Sequence, residues 1–155
     1  MVLIKPHHLL DIFKLYGAGI NFFIPNHLYG HDFYKIGNII LKNHNTRVKF
    51  TSGPDDICGP CKYNVNGKCT DTVPDNPLKY SSKDYWNKTI DKRVMKTLSI
   101  KDGTKMTALG YCVLAMKKLN KENIKRIWNE RPGNETKRRT ILLLKGLKKF
   151  SDKAR

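Results

Sequence analysis

The chain has 155 residues, 39% of them hydrophobic, which fits one folded domain and argues against a disordered chain. Thirty Lys and Arg against thirteen Asp and Glu give a net charge of +17. No apolar run approaches the ~20 residues of a membrane span, and no basic leader with an apolar stretch opens the sequence. We therefore expect a cytoplasmic protein with no membrane partner.

Residues 1–54 predict N-terminal helices and a short strand. After an extended start, Pro6 suits the first turn of a helix, and apolar residues then recur at helical spacing as far as Gly17. A loop follows, and a second helix is predicted from Asp32 to Lys42. The alternation from Thr46 to Thr51 is typical of a strand.

Residues 55–80 are predicted to form a Cys-rich loop, because they show no periodicity and carry three cysteines. A loop of this length inside a compact domain needs something to organise it, and a bound metal is the candidate. Residues 81–155 predict C-terminal helices: one capped by Ser81 or Ser82, one from about Thr107 to Leu119, and two more separated by Pro132-Gly133. The expected fold is a mainly α, single compact helical domain over residues 1–155, with a minor strand element and a metal-stapled Cys loop.

Cys58, Cys61 and Cys69 form the most specific chemical motif of the chain, a C-x-x-C pair with a third cysteine seven residues further on. A tight turn can direct the first two thiolates at one centre, and three thiolates suit zinc or an iron–sulfur cluster. Two alternatives are unrelated loop thiols and a thioredoxin-like redox motif, although no strand–helix context surrounds the motif here. Cys112 is a candidate fourth ligand, yet its helical spacing with apolar residues also fits a core position.

Histidines provide a second candidate site. His7 and Asp11 stand four residues apart, the spacing of neighbours on one helix face, and His27 and His31 repeat that interval. With His8, these side chains could ligate a metal, or Asp11 could orient an imidazole. An open site of this kind would be that of a metalloenzyme. The alternative is that the first two histidines begin a helix and the others lie in a solvated loop.

The positive charge raises the possibility of a nucleic-acid partner. Residues 117–155 carry fourteen positive and four negative side chains, a net +10. A basic module with a structural zinc would bind phosphates through the last two helices. The side chains in question are Lys137, Arg138, Arg139, Lys145, Lys148 and Lys149. Solvated helix faces explain the same residues without a partner.

Several motifs together resemble a known family. They are Pro-His-His-Leu-Leu near the start, Asp55-Asp56-Ile57-Cys58 with Cys61 and Cys69, and the shorter runs Tyr16-Gly17-Ala18-Gly19 and Tyr29-Gly30-His31. They resemble the small archaeal and bacterial proteins catalogued as DUF1284, which are suspected iron–sulfur binders. Many of these relatives carry a cysteine where this chain has Asp11, so the resemblance leaves open a four-iron cluster, a zinc ion or a cluster with one carboxylate ligand. We expect Asp11 or Cys112 to complete the coordination. It implies no reaction, and whether the protein is an enzyme stays open.

Overall fold

Helices make up most of the fold, which confirms the predicted mainly α class with minor strands. The computed structural model describes residues 1–73, 80–129 and 133–154. In chain order, the elements are β1 Val2–Ile4, α1 Pro6–Gly17, α2 Phe33–Lys42, β2 Arg47–Phe50, β3 Asn64–Val65, β4 Lys68–Cys69, α3 Lys83–Leu98, β5 Lys105–Thr107, α4 Ala108–Lys118, α5 Lys121–Ile127 and α6 Gly133–Lys153. Among the described residues, none of the helices combines the length and apolar character that a bilayer crossing requires.

A three-stranded sheet supports the N-terminus of α1. β1 pairs in parallel with β2, with Ile4 opposite Phe50, and β2 pairs antiparallel with β5, with Val48 opposite Met106. Ile4, Val48 and Phe50 are fully buried, so alternate residues of these strands face the core. The sequence predicted β2 as a strand and an extended start where β1 lies. It did not predict β5, because three residues are too few to show an alternating pattern.

The backbones of α1 and α6 are in direct contact. A methyl group on Gly146 would overlap the carbonyl oxygen of Phe13, and one on Gly17 would overlap the carbonyl oxygen of Leu142. Only glycine permits this approach, because any Cβ would push the helices apart. The contact fixes α6 across α1, whose Leu9, Leu10, Ile12 and Phe13 are almost completely buried.

The cysteine segment, residues 55–70, is more ordered than the sequence predicted. β3 and β4 form a hairpin closed by Asn66 (φ 51°) and Gly67 (φ 77°), the two positive-φ residues that a type I′ turn requires. Ile57 and Asp55, 2% and 3% exposed, anchor the segment in the core. The prediction of a continuous loop was therefore wrong here, although residues 74–79 of that loop lie outside the described residues. Stapling by a metal stays a prediction.

Side-chain caps mark the starts of α3, α4 and α5, and of these the sequence predicted the serine cap of α3. Ser82 accepts a hydrogen bond from the backbone N–H of Tyr85 (3.1 Å) and starts α3. Asn120 and Asn123 form a reciprocal capping box at the start of α5. The predicted break at Pro132 lies outside the described residues, and α6 begins at Gly133. This arrangement brings α3 and α6 alongside the N-terminal end of α1.

Candidate metal centre

A cavity of about 270 Å³ lies between the N-terminal half of α1, the cysteine segment and α3. Seven of the nine metal ligands predicted from the sequence line it: His7, His8, Asp11, His31, Cys58, Cys61 and Cys69. The other two, His27 and Cys112, belong to the described part of the chain but lie elsewhere. Residues far apart in the sequence thus meet at one site.

The three cysteines lie between this cavity and a second, much smaller one. The smaller cavity, about 20 Å³, is also lined by all three cysteines together with Lys5. It is large enough for an atom or one water molecule. The backbone N–H of Cys61 donates to the carbonyl of Cys58 (3.0 Å), which makes the tight turn expected of the C-x-x-C pair. The hairpin brings Cys69 back to them, and all three thiols are free.

One set of potential ligand atoms is especially close. Among the described residues, His8, Asp55 and Cys58 form a group whose ligand atoms all lie within 4.8 Å of one another. Cys61 and Cys69 are not part of that group. A tetrahedral zinc ion with Zn–S bonds of about 2.3 Å places its sulfurs about 3.8 Å apart. The three cysteine sulfurs are therefore spread more widely than the sulfurs of a mononuclear zinc site.

Asp55 holds His8 and Cys58 in position beside the cavity. Its carboxylate accepts backbone N–H groups from Lys5 (2.8 Å) and Cys58 (2.9 Å), and it lies 2.7 Å from Nδ1 of His8. Burial opposes its ionisation, but His8 and the hydrogen bonds outweigh burial and hold the pKa of Asp55 well below its usual range. An ionised carboxylate only accepts hydrogen bonds, so Nδ1 of His8 is the donor; when the ring is neutral, Nε2 is the atom with a lone pair for a metal.

His7 is oriented in the same way by Asp91 of α3. Oδ1 of Asp91 accepts the backbone N–H of His7 (3.0 Å) and lies 2.8 Å from its Nδ1. The His7 and His8 rings are adjacent, with centroids 4.3 Å apart. Asp91 is completely buried, and its Oδ2 has no hydrogen-bond partner among the described residues. Two carboxylates, those of Asp55 and Asp91, therefore accept backbone N–H groups at the start of α1, where the helix dipole favours negative charge.

Neither carboxylate, Asp55 or Asp91, was predicted as a site residue. The sequence motif that marks the family includes Asp55, but no motif includes Asp91. A signal was present for Asp91, because it stands three residues before Val94 and seven before Leu98 on the buried face of α3. An acidic residue at such a position needs a buried partner.

Lys5 is a buried cation beside the cysteines. Its Nζ lies 3.4 Å from Sγ of Cys58, and the residue is 5% exposed. Burial raises the pKa of the Cys58 thiol to about 12, with a further contribution from Asp55, while Lys5 opposes the rise. Lys5 alone does not offset burial, so a further positive charge is needed to stabilise the Cys58 thiolate. A metal would supply that charge and displace the proton.

Asp11 is already paired with two cations. Its Oδ1 accepts from Nη1 of Arg139 (2.7 Å) and lies 3.1 Å from Nζ of Lys14. Burial opposes ionisation, but Lys14 and Arg139 outweigh it and hold the pKa of Asp11 well below its usual range. Asp11 lines the cavity, yet its charge is neutralised without a metal.

The remaining candidates occupy different environments. Cys112 is fully buried in the core and its Sγ lies 3.2 Å from the carbonyl of Leu147, so the structure places it where the core alternative expected. His27 is exposed, which matches the solvated-loop alternative for this residue. His31 lines the cavity and stacks on Tyr29 (5.5 Å). Of the two loop histidines, His31 lines this cavity and His27 does not.

The basic residues of α6 divide into two groups. Arg139 pairs with Asp11, and Nζ of Lys149 lies 2.6 Å from Oδ1 of Asn21 and 3.9 Å from the ring centroid of Tyr16. Arg139 and Lys149 therefore contact the N-terminal part of the chain. The other four, exposed on the outer face of the helix, are Lys137, Arg138, Lys145 and Lys148.

The family model described as "Protein of unknown function (DUF1284)" matches residues 26–130 of the chain. The chain belongs to DUF1284. The matched part of this DUF1284 protein contains all three cavity cysteines, Asp55 and Asp91, whereas α1 with its two histidines precedes it. No curated protein and no solved structure matches the chain.

Proposed function

We propose that this DUF1284 protein is a metal-binding protein that holds an iron–sulfur cluster, or alternatively zinc, through Cys58, Cys61 and Cys69. The observation that carries the proposal is the position of the His8–Asp55 pair beside Cys58, on a cavity lined by all three cysteines. Soft thiolates and an imidazole suit these metals, not magnesium or calcium.

His8 is the proposed fourth ligand. Asp55 fixes its Nδ1, which leaves Nε2 as the ligating atom, and a carboxylate behind a metal-binding histidine is a common arrangement in proteins. Asp11 is less suitable because Arg139 and Lys14 already neutralise it. Cys112 is unsuitable because it packs in the core.

An iron–sulfur cluster is the preferred occupant. A cluster binds its thiolates on different iron atoms, so it accepts a more open set of sulfurs than a single zinc ion does. Lys5 partly compensates the negative charge that three thiolates would bring. The proposal places the protein in the reducing cytoplasm, where free thiols persist as ligands.

The test is elemental analysis with an absorption spectrum on protein purified without oxygen. Near-stoichiometric iron with charge-transfer absorption supports a cluster, and near-stoichiometric zinc in colourless protein supports the alternative. Folded protein with neither metal overturns the proposal. His8→Ala should lower the metal content, whereas His27→Ala, which changes an exposed histidine, should not.

A second candidate is an open-site metalloenzyme built on the histidines, with the cysteines structural. The His7–Asp91 pair favours it, because His7 also presents an oriented imidazole to the cavity. The two candidates respond differently to substitution. Metal that survives the double change of Cys61 and Cys69 to Ser but is lost on His7→Ala would support the histidine site instead.

A further inference from the structure

A groove of about 340 Å³ lies between α5 and α6, and it shares no lining residue with the metal cavity. The α6 residues that line it recur at the intervals of one helix face, namely Gly133, Thr136, Lys137, Thr140 and Ile141. Such a row is typical of a face that packs on another element, yet Ile141 is 54% exposed. α5 has only seven residues against the twenty-one of α6, so part of the row stays open to a ligand.

The surface of this groove is mostly apolar. Its two threonines, Thr136 and Thr140, are almost buried, and their hydroxyl groups already donate to backbone carbonyls. The acceptors are the carbonyl of Trp128 (3.3 Å) for Thr136 and that of Thr136 (2.8 Å) for Thr140. Ile141 and the methylene stems of the lining lysines add further apolar surface. A ligand that fills the groove therefore needs an apolar body.

The remaining polar side chains of the groove offer donors. Lys121 and Lys125 stand four residues apart on α5, Lys137 lines the opposite wall on α6, and all three are exposed. None of the three has an ion-pair partner among the described residues. The amide oxygen of Asn129 already accepts Nη1 of Arg93 (3.2 Å), which leaves its NH₂ group as a further donor.

No acidic side chain of the described residues lines the groove. The acids in the first turns of α5 and α6 are engaged elsewhere, because Glu122 pairs with Arg126 (3.6 Å) and Glu135 lines a separate groove between α1 and α6. Glu130 and Arg131 lie outside the described residues, and their formal charges cancel. The three lysines thus leave an uncompensated positive charge, which favours an anion.

The size of the groove favours a small molecule over a macromolecule. Its volume lies in the range of about 300–1,000 Å³ that is typical of ligand pockets. Eight residues line it, whereas a stable protein interface uses about 20–30 residues a side. We infer that the α5–α6 groove binds an amphipathic anion, with an alkyl chain along Thr140 and Ile141 and the anionic head group among the three lysines. The inference does not rest on the proposed metal centre.

Octanoate is the probe, because it joins one carboxylate to an alkyl chain. Calorimetry on the full chain as isolated measures affinity and stoichiometry, and NMR shifts of backbone amides locate the ligand. 1-Octanol, which lacks the charge, and butanoate, whose chain is half as long, are titrated in parallel. We expect one octanoate per chain, with shifts concentrated in α5 and the first half of α6. Both comparison compounds should bind at least about tenfold more weakly.

A pair of double variants separates the groove from the general positive charge of the protein. Lys121→Gln with Lys125→Gln should weaken octanoate by about fivefold, because two of the three cations of the groove are lost. Lys145→Gln with Lys148→Gln is the matched control, since it removes the same charge from exposed positions of α6 outside the groove. It should leave the affinity within about twofold.

A second pair tests the apolar part of the groove. Ile141→Asp places a negative charge where the alkyl chain is expected and should abolish octanoate binding. Val113→Asp on α4 makes the same change at a position that is 53% exposed and lies outside the groove, and it should bind octanoate as the unaltered protein does. Both positions are exposed, so both variants should keep the fold, which thermal melts check.

The absence of saturable octanoate binding, binding of 1-octanol as tight as that of octanoate, or equal losses in the two lysine variants overturns the inference. Other occupants of the groove would overturn it too. A dimer in sedimentation velocity that Ile141→Asp dissociates would place a second copy there. A short DNA duplex or an acidic peptide that displaces octanoate, and whose binding requires Lys121 and Lys125, would assign the groove to that partner instead.

Discussion

His7 and Asp91, 84 residues apart in the chain, meet with Nδ1 2.8 Å from Oδ1 beneath the cavity. The same carboxylate oxygen also accepts the backbone N–H of His7 (3.0 Å). One side chain of α3 therefore fixes both the start of α1 and the orientation of a cavity histidine. This connection makes the site depend on the packing of two helices rather than on one local motif.

Replacing Asp91 with Asn should destabilise the protein by about 1–3 kcal/mol. The amide of Asn removes the negative charge that faces His7 and brings two donors to the completely buried position of Oδ2, which has no hydrogen-bond partner among the described residues. Urea denaturation measures the loss. Asp152→Asn, an exposed change on α6, is the control and should alter the free energy of unfolding by less than about 0.5 kcal/mol. Equal stabilities for the two variants would contradict the role given to Asp91.

Cys61→Ser should lower metal content and melting temperature together, because a structural metal adds its binding energy to the folded state. Elemental analysis and a thermal melt of the same sample measure both quantities. Cys112→Ala is the matched control, since it removes a thiol that packs in the core. It should retain the metal while losing stability through a cavity. Retention of metal in Cys61→Ser would remove this residue from the ligand set.

Stability should fall as the pH falls below about 5, because the pKa values of Asp11 and Asp55 are depressed in the folded protein. Their contribution is fully present above the ordinary carboxyl pKa of about 4 and is lost as the pH drops toward the lower folded values. Urea unfolding at several pH values between 7 and 3 measures the slope. Asp11→Asn should lower stability at pH 7 and flatten this slope. The exposed Asp152→Asn should leave the slope unchanged, and an unaltered slope in Asp11→Asn would contradict the assignment.

Gly146→Ala should destabilise the protein by about 3 kcal/mol or more, because the new methyl group would overlap the backbone carbonyl of Phe13. Gly133→Ala on the same helix has open space around its Cβ position and should be neutral or slightly stabilising. Thermal and urea denaturation of the pair separates steric overlap from helix propensity. A mild effect at Gly146 would mean that α1 and α6 can move apart freely.

Local patterns predicted most helices well. Ser82 begins α3 as its capping role predicts, and α2 starts one residue after the expected Asp32. β5 and the Asn66-Gly67 hairpin escaped prediction because each has too few residues to show periodicity. The Asn-Gly pair itself was a signal for the hairpin, since both residues tolerate positive φ.

The sequence by itself determined the helical class, the start of α1 and the C-x-x-C turn, because these depend on the identities of residues close together in the chain. Only the tertiary structure decided which predicted ligands share a cavity. It brought Asp55 and Asp91 to the histidines, paired Asp11 with Arg139, placed Cys112 in the core and left His27 exposed. The physical reason is that charge pairing and burial depend on helix packing, which a pattern of neighbouring residues does not encode.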